Sequence, residues 1–230
     1  MNIGRNGEKM IKNIKSAIVI GATGLVGRSL VNHLNQLVDC ERIVVVVRKH
    51  DEQFEKFTKV DQLVIDDFLM LNDEDASGFS HAFSCLGSTI KKAGSKENFY
   101  NIDFEINAHF ADLLVNTDTF FAIVSAEGAN ERSPFFYNQV KGKLENYLKS
   151  LSLYQLAIIR PSLLIGERAE TRTLEDISQS IFKRVSQFLP NTFKYKPVTA
   201  EQVANTMVVS ARTQNEKIKI YDNLEIQKHN

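Results

Sequence analysis

Tyr137 and Lys141 stand four residues apart in "YNQVK", the one place in the chain where a lysine follows a tyrosine at that spacing. On a helix, positions i and i+4 share a face, so a phenol and an ammonium would point into one site. Ser125 lies upstream, at the end of the apolar run "FFAIVS". Such a set suits proton transfer at a carbonyl oxygen. Reduction by hydride needs a proton donor at the developing alkoxide, and the reverse reaction needs a base. A phenol, with an ordinary pKa near ~10, is a poor base at neutral pH. An ammonium about 5 Å away at an effective dielectric of about 20 favours the phenolate by roughly 3 kcal/mol. Ser125 would hydrogen-bond the substrate's carbonyl oxygen and hold it beside the phenol.

A second constellation opens the chain's first apolar run. In "SAIVIGATGLVGR", Gly21, Gly24 and Gly27 recur every three residues, with Thr23 in the turn and Leu25 and Val26 starting a helical pattern. In a nucleotide-binding strand–turn–helix unit, the first glycine makes the tight turn, the second admits a diphosphate and the third lets the helix pack close. The unpaired N–H groups at the helix start favour an anion there. The end of the second strand selects the dinucleotide: an acidic residue accepts from a ribose 2′-hydroxyl, whereas cations suit a 2′-phosphate. Arg48 and Lys49 follow "IVVVV", which predicts NADP(H) in preference to NAD(H). Asp66, at the end of the third run, is a candidate for the adenine, and Cys85, Leu86 and Gly87 are candidates for backbone lying against the cofactor.

The elements that must position these residues alternate. Strand-length apolar runs occur at 17–20, 42–47, 62–65, 81–86, 120–125 and 154–160, and helical patterns over 98–116 and 137–151 precede the last two. The class predicted is α/β, a doubly wound parallel sheet, whose strand ends would gather the glycine turn, Ser125 and Tyr137 in one crevice. Residues 1–15 read as a frayed tail, with Met10 an alternative start. Residues 16–230 read as a single domain in which 162–230 form a small substrate-side lobe. Within that lobe, an amphipathic helix ends near Pro190, Thr199 caps a last helix, and "KIKIYDNLEI" makes a late strand.

Composition excludes several classes. Lys+Arg and Asp+Glu number 28 each, so no net field favours nucleic acid, and no apolar stretch is long enough to cross a membrane. The opening residues lack the apolar stretch of a signal peptide, which predicts a cytoplasmic protein. The five histidines and two cysteines show no metal-binding spacing.

"GATGLVG", the Ser at the end of the fifth run, "YNQVKGKLE", "CLGSTIKKAG", "VSAEGAN" and "KPVTAEQVA" together resemble the atypical short-chain dehydrogenases/reductases, in particular the Tat-interacting-protein-like branch. The resemblance spans about residues 14 to 228. It implies a Rossmann fold, NADP(H) held by the glycine turn and Arg48, a Ser125/Tyr137/Lys141 catalytic set, and Pro161 near the nicotinamide. Asn101 and Asn107 are offered for the helix asparagine that many members use in proton relay. The activity expected is NADPH-dependent reduction of a small carbonyl compound, by a monomer or homodimer. The alternative is an NADP(H)-binding regulator without turnover that contacts a protein partner. Glu127, Asn130, Arg132 and parts of 166–190 are the candidate pocket wall.

Overall fold

Both faces of the first apolar run are buried: Ala17 and Val19 pack into one helix layer, Ile18 and Ile20 into the other. Strands apolar on both sides are those of a parallel sheet covered by helices. The computed structural model describes residues 11–165 and 194–229. Seven strands form one all-parallel sheet in the order β3-β2-β1-β4-β5-β6-β9. They are β1 (Ser16–Ile20), β2 (Arg42–Val47), β3 (Val60–Val64), β4 (His81–Ser84), β5 (Phe120–Val124), β6 (Gln155–Ile159) and β9 (Ile218–Tyr221). A separate parallel pair joins β7 (Leu164–Ile165) to β8 (Val198–Thr199). The order reverses between β1 and β4, and ligands of such sheets bind at that reversal, beyond the strands' C-terminal ends.

The helices are α1 (Leu25–Gln36), α2 (Asp73–Ala76), α3 (Ile90–Ala93), α4 (Lys96–Tyr100), α5 (Ile106–Asp112), α6 (Phe136–Ser150), α7 (Ala200–Thr213) and α8 (Asn223–Ile226). α1 and α7 cover one face of the sheet through Leu30, Leu34, Val203 and Met207. α5 and α6 cover the other through Phe110, Ala111, Leu144 and Leu148.

Four expectations change. Residues 11–15 are docked: Ile14 is fully buried, and the Lys12 ammonium donates to Gln155 Oε1 at 2.8 Å and to the Gln214 carbonyl at 2.6 Å. Residues 1–10, Met10 included, and the helix expected before Pro190 lie outside the described residues. Among the described residues the lobe is merged with the main sandwich: α7 and β9 belong to it, and β7 and β8, although a separate sheet, pack on its core through Leu164 and Val198. The late strand ends at Tyr221, and Asp222, whose side chain accepts from Glu225 N–H, starts α8 in place of further strand. Finally, the helix expected over 98–116 is broken by a π-turn at Asn101–Glu105 between α4 and α5. Thr199 does cap α7, in a reciprocal arrangement with Gln202.

At the opposite end of the sheet from the strand reversal's C-terminal edge, His81 is buried, stacked on Phe83 and bonded through Nδ1 to Ser80 Oγ at 2.9 Å. Burial, with nearby Lys12 and Arg212 adding, pushes its pKa down to about 4. A depressed histidine leaves stability intact above the unfolded-state pKa near ~6.5 and loses it as pH falls toward the folded value. Between about pH 6.5 and 4 the loss is on the order of 3 kcal/mol. Denaturant midpoints across that window are expected to fall for the wild type and to flatten for His81→Phe.

Candidate active site

The glycine turn is built by contact. Gly21 has φ 73°, and a Cβ there would stand 2.4 Å from the Leu86 nitrogen. On Gly27 it would meet the Gly21 carbonyl oxygen at 2.3 Å, so α1 is pressed onto the turn. Gly24 occupies the N-cap of α1, where no side chain caps the helix and no acidic residue sits in the first turn. A Cβ on Gly24 would approach only the Gly21 carbonyl, at 3.4 Å. The positive end of α1 is thus open beside an exposed glycine, which fits the diphosphate of a dinucleotide. Thr23 is exposed, Leu25 half-buried and Val26 buried against the core.

Arg48 and Lys49 are exposed immediately beyond β2, and no ion pair engages either among the described residues. Sequence reasoning missed Arg28, which directly follows the third glycine. Its guanidinium donates to the Thr23 carbonyl at 2.9 Å and pairs with Asp51 at 2.8 Å, with Gln53 adding a contact. Asp66 is exposed past β3, while the neighbouring Asp67 caps the short turn Phe68–Met70.

The loop after β4 joins the two constellations. Leu86 abuts Gly21, and a Cβ on Gly87 would lie 3.2 Å from Asp103 Oδ1 and 3.4 Å from Lys141 Nζ. Cys85 is partly buried, its sulfur 3.7 Å from Met207 Sδ, and burial raises its thiol well above the ordinary range. That environment is one of ordinary packing. Pro161 is buried beyond β6, its carbonyl accepting from Glu127 N–H at 2.9 Å.

Tyr137, Lys141 and Glu145 form one stripe of α6, and each meets a different partner. The Tyr137 ring packs on Phe99 with centroids 5.5 Å apart. Lys141, almost wholly buried, pairs with the buried Asp103 at 2.7 Å. Burial works against its ammonium, but Asp103, with Tyr137 and Glu145 adding, leaves Lys141 above the ordinary lysine range. Asp103 is thus a counter-charge for the ammonium that the sequence spacing set beside Tyr137.

Glu145 gathers the Ser125 hydroxyl, which donates to it at 2.6 Å, together with Arg160 and Lys149. This arrangement gives the Ser125 hydroxyl a partner within the protein. Its single hydroxyl proton is committed to Glu145, no hydrogen bond joins it to Tyr137 among the described residues, and a carbonyl oxygen needs a donor.

The helix asparagines also resolve. Asn101 is exposed, whereas Asn107 is buried, accepts from Ser84 Oγ and donates to the Ile102 carbonyl at 3.1 Å. Of the candidate pocket wall, Glu127 is taken up by Lys194 at 2.7 Å and the Asn223 N–H at 3.0 Å. Asn130 and Arg132 line a groove of about 400 Å³ beside α6, with Arg160 and Asn146. Residues 166–190 lie outside the described residues, among which no metal-binding group of His, Cys, Asp or Glu occurs. Nor is any helix there long and apolar enough to cross a membrane.

Residues 16–101 match the family described as semialdehyde dehydrogenase, NAD binding domain. Over 220 residues the chain is 32% identical to protein FMP52-1, mitochondrial, of Scheffersomyces stipitis, covering 92% of this chain and 96% of that one. The chain belongs to the FMP52 family. This FMP52-family chain is also 32% identical over 173 residues to protein HTATIP2 of Rattus norvegicus, covering 73% of this chain and 70% of that protein. The expected branch, the HTATIP2-like atypical short-chain dehydrogenases/reductases, is therefore correct.

Among solved structures, UDP-glucuronic acid 4-epimerase from Bacillus cereus in complex with NAD superposes with a TM-score of 0.66 at 12% identity. That match covers 90% of this chain and 77% of the epimerase and establishes the Rossmann architecture. One expectation fails against the relatives. "Mitochondrial" stands in the names of the FMP52 proteins of Scheffersomyces stipitis, Debaryomyces hansenii, Meyerozyma guilliermondii and Candida albicans, so the cytoplasmic assignment is withdrawn. The FMP52-family chain thus has an NAD(P)-binding, oxidoreductase-like fold.

Proposed function

We propose that this FMP52-family protein is an oxidoreductase that binds NADP(H) in preference to NAD(H) and reduces a small carbonyl compound, with Tyr137 as proton donor. One observation supports the reading: the loop Leu86–Gly87 lies against the glycine turn on one side and close to Lys141 on the other, so a single loop separates the open start of α1 from the Lys141 face of α6. The bound dinucleotide would supply the hydride. The N–H groups opening α1 hold its diphosphate, with Gly24 leaving room for it. Arg48 and Lys49, free of ion pairs among the described residues, meet the 2′-phosphate. Lys141 holds the ribose hydroxyls, and the Tyr137 phenol gives its proton to the substrate oxygen as that oxygen gains charge. Ser125 acts through Glu145, fixing the end of β5 against α6. A mitochondrial setting is proposed from the relatives' names.

Calorimetric titration of nucleotide-free protein with NADPH and NADH, followed by NADPH consumption with aldehydes, ketones and quinones, tests the reading. Arg48→Ala is expected to weaken NADPH binding roughly tenfold, the loss of one charge-assisted phosphate contact of about 1.5 kcal/mol, and to leave NADH binding nearly unchanged. Equal losses for both nucleotides would remove Arg48 from the 2′-phosphate.

One observation favours a second reading, a nucleotide-binding regulator without turnover that contacts a protein partner: Glu145 withdraws the Ser125 hydroxyl from the crevice. Tight NADPH binding without consumption of any carbonyl would select that reading.

A further inference from the structure

Asp103 is a carboxylate where a core would be expected. The inward side of α4, the π-turn and α5 carries Phe99, Ala108, Phe110 and Ala111, all buried, and Asp103 is buried among them. The π-turn inserts an extra residue into the helix, and such insertions concentrate at functional sites. Stability is a poor reason for the resulting ion pair, since a buried pair can often be replaced by apolar residues at no cost. Its surroundings give a better one. Asp103 Oδ2 accepts from the Ser88 N–H at 2.8 Å and Oδ1 lies 2.7 Å from Lys141 Nζ, so one carboxylate ties the loop after β4 to α6.

Resting on the nucleotide-binding reading above, we propose that Asp103 is a positioning residue: it fixes the Lys141 ammonium beside Tyr137 and keeps that ammonium charged. The charged and titratable groups facing Lys141 are Asp103 from the π-turn and Tyr137 and Glu145 from α6, while the loop after β4 brings only the backbone of Gly87. A nearby negative charge opposes deprotonation of the ammonium, against the burial that favours it. Removing it lowers the pH at which Lys141 gives up its proton.

Asp103→Asn keeps the shape and removes the charge. The test is calorimetric NADPH binding from about pH 7 to 10, with pH profiles of kcat/KM and thermal melts alongside. In the wild type, binding is expected to hold to about pH 9; in Asp103→Asn, the fall in affinity and the basic limb of kcat/KM both move down by about one pH unit or more. A lowered melting temperature with unchanged pH profiles, or profiles moving the other way, overturns the proposal and leaves a structural ion pair. Wild-type protein that binds NADPH without turnover defeats the oxidoreductase reading, and Asp103 is then judged on the binding arm alone. Failure of the wild type to bind NADPH overturns both. Should the single variant not fold, Asp103→Asn/Lys141→Gln removes the two charges together. It is expected to bind NADPH more weakly than the wild type, for want of the Lys141 contact to the ribose, but with no basic limb up to about pH 10, and a wild-type limb in that variant overturns the proposal.

Discussion

Tyr137→Phe is expected to lower kcat/KM for the proposed NADPH-driven carbonyl reduction by roughly a hundredfold or more, the usual contribution of a positioned proton donor, and to leave NADPH affinity near the wild-type value. The substitution removes one oxygen and keeps the ring, whose packing on Phe99 and whose place at the start of α6 do not depend on the hydroxyl. The absorbance of NADPH in steady state reads the rate, and calorimetry reads the binding. A variant that works at the wild-type rate would take Tyr137 out of the mechanism. One that loses NADPH affinity in parallel would make the tyrosine a cofactor contact instead of an acid.

Gly21→Ala is expected to cost roughly 3 kcal/mol or more of stability and to abolish measurable dinucleotide binding, because two penalties coincide. The backbone sits at φ 73°, which an L side chain adopts with strain, and the added carbon would fall 2.4 Å from the Leu86 nitrogen and 2.5 Å from the Cys85 carbonyl carbon. Both neighbours are backbone of the loop leading to Gly87, so relief would move the wall that touches Lys141 as well as the turn itself. Denaturant unfolding and NADPH titration of the same preparation separate the effects. A variant of wild-type stability that still binds NADPH would mean that this turn does not carry the diphosphate.

Much of this architecture was legible in the sequence because its causes are local. Six apolar runs marked six strands of the sheet; in β1, β2, β4, β5 and β6 the cause is that strands covered on both faces have little room for polar residues, while the edge strand β3 is only partly buried. The glycines marked the first turn, and Thr199 marked the start of α7. The site was legible only where chemistry and spacing coincided, at Tyr137 and Lys141.

Asp103 escaped because the periodicity of 3.6 residues, carried from Phe99, turns Ile102 and Ile106 inward. The π-turn changes the phase, leaves both isoleucines only half-buried and buries Asp103 and Asn107. Asp103 and Asn107, four residues apart and so on one helical face, were the available signal. Glu145 escaped for a similar reason: "KLENYLK" resembles a solvated helix face until β5 and β6 bring Ser125 and Arg160 to it. Residues 11–15 looked like a tail because their partners, Gln155, Arg212 and Gln214, come from the far end of the chain.

By itself, then, the sequence determined the alternation of strand and helix, the glycine turn after the first strand, and the tyrosine and lysine on one helical face. Each depends on residues within a few positions of one another, where backbone sterics and side-chain period decide the outcome. Only the tertiary structure decided which charge faces which: Asp103 on Lys141, Glu145 on Ser125 and Arg160, Asp51 on Arg28. Partners so far apart along the chain meet because the sheet order and the π-turn bring them together, and a charge taken from water is stable only where packing supplies its counter-charge.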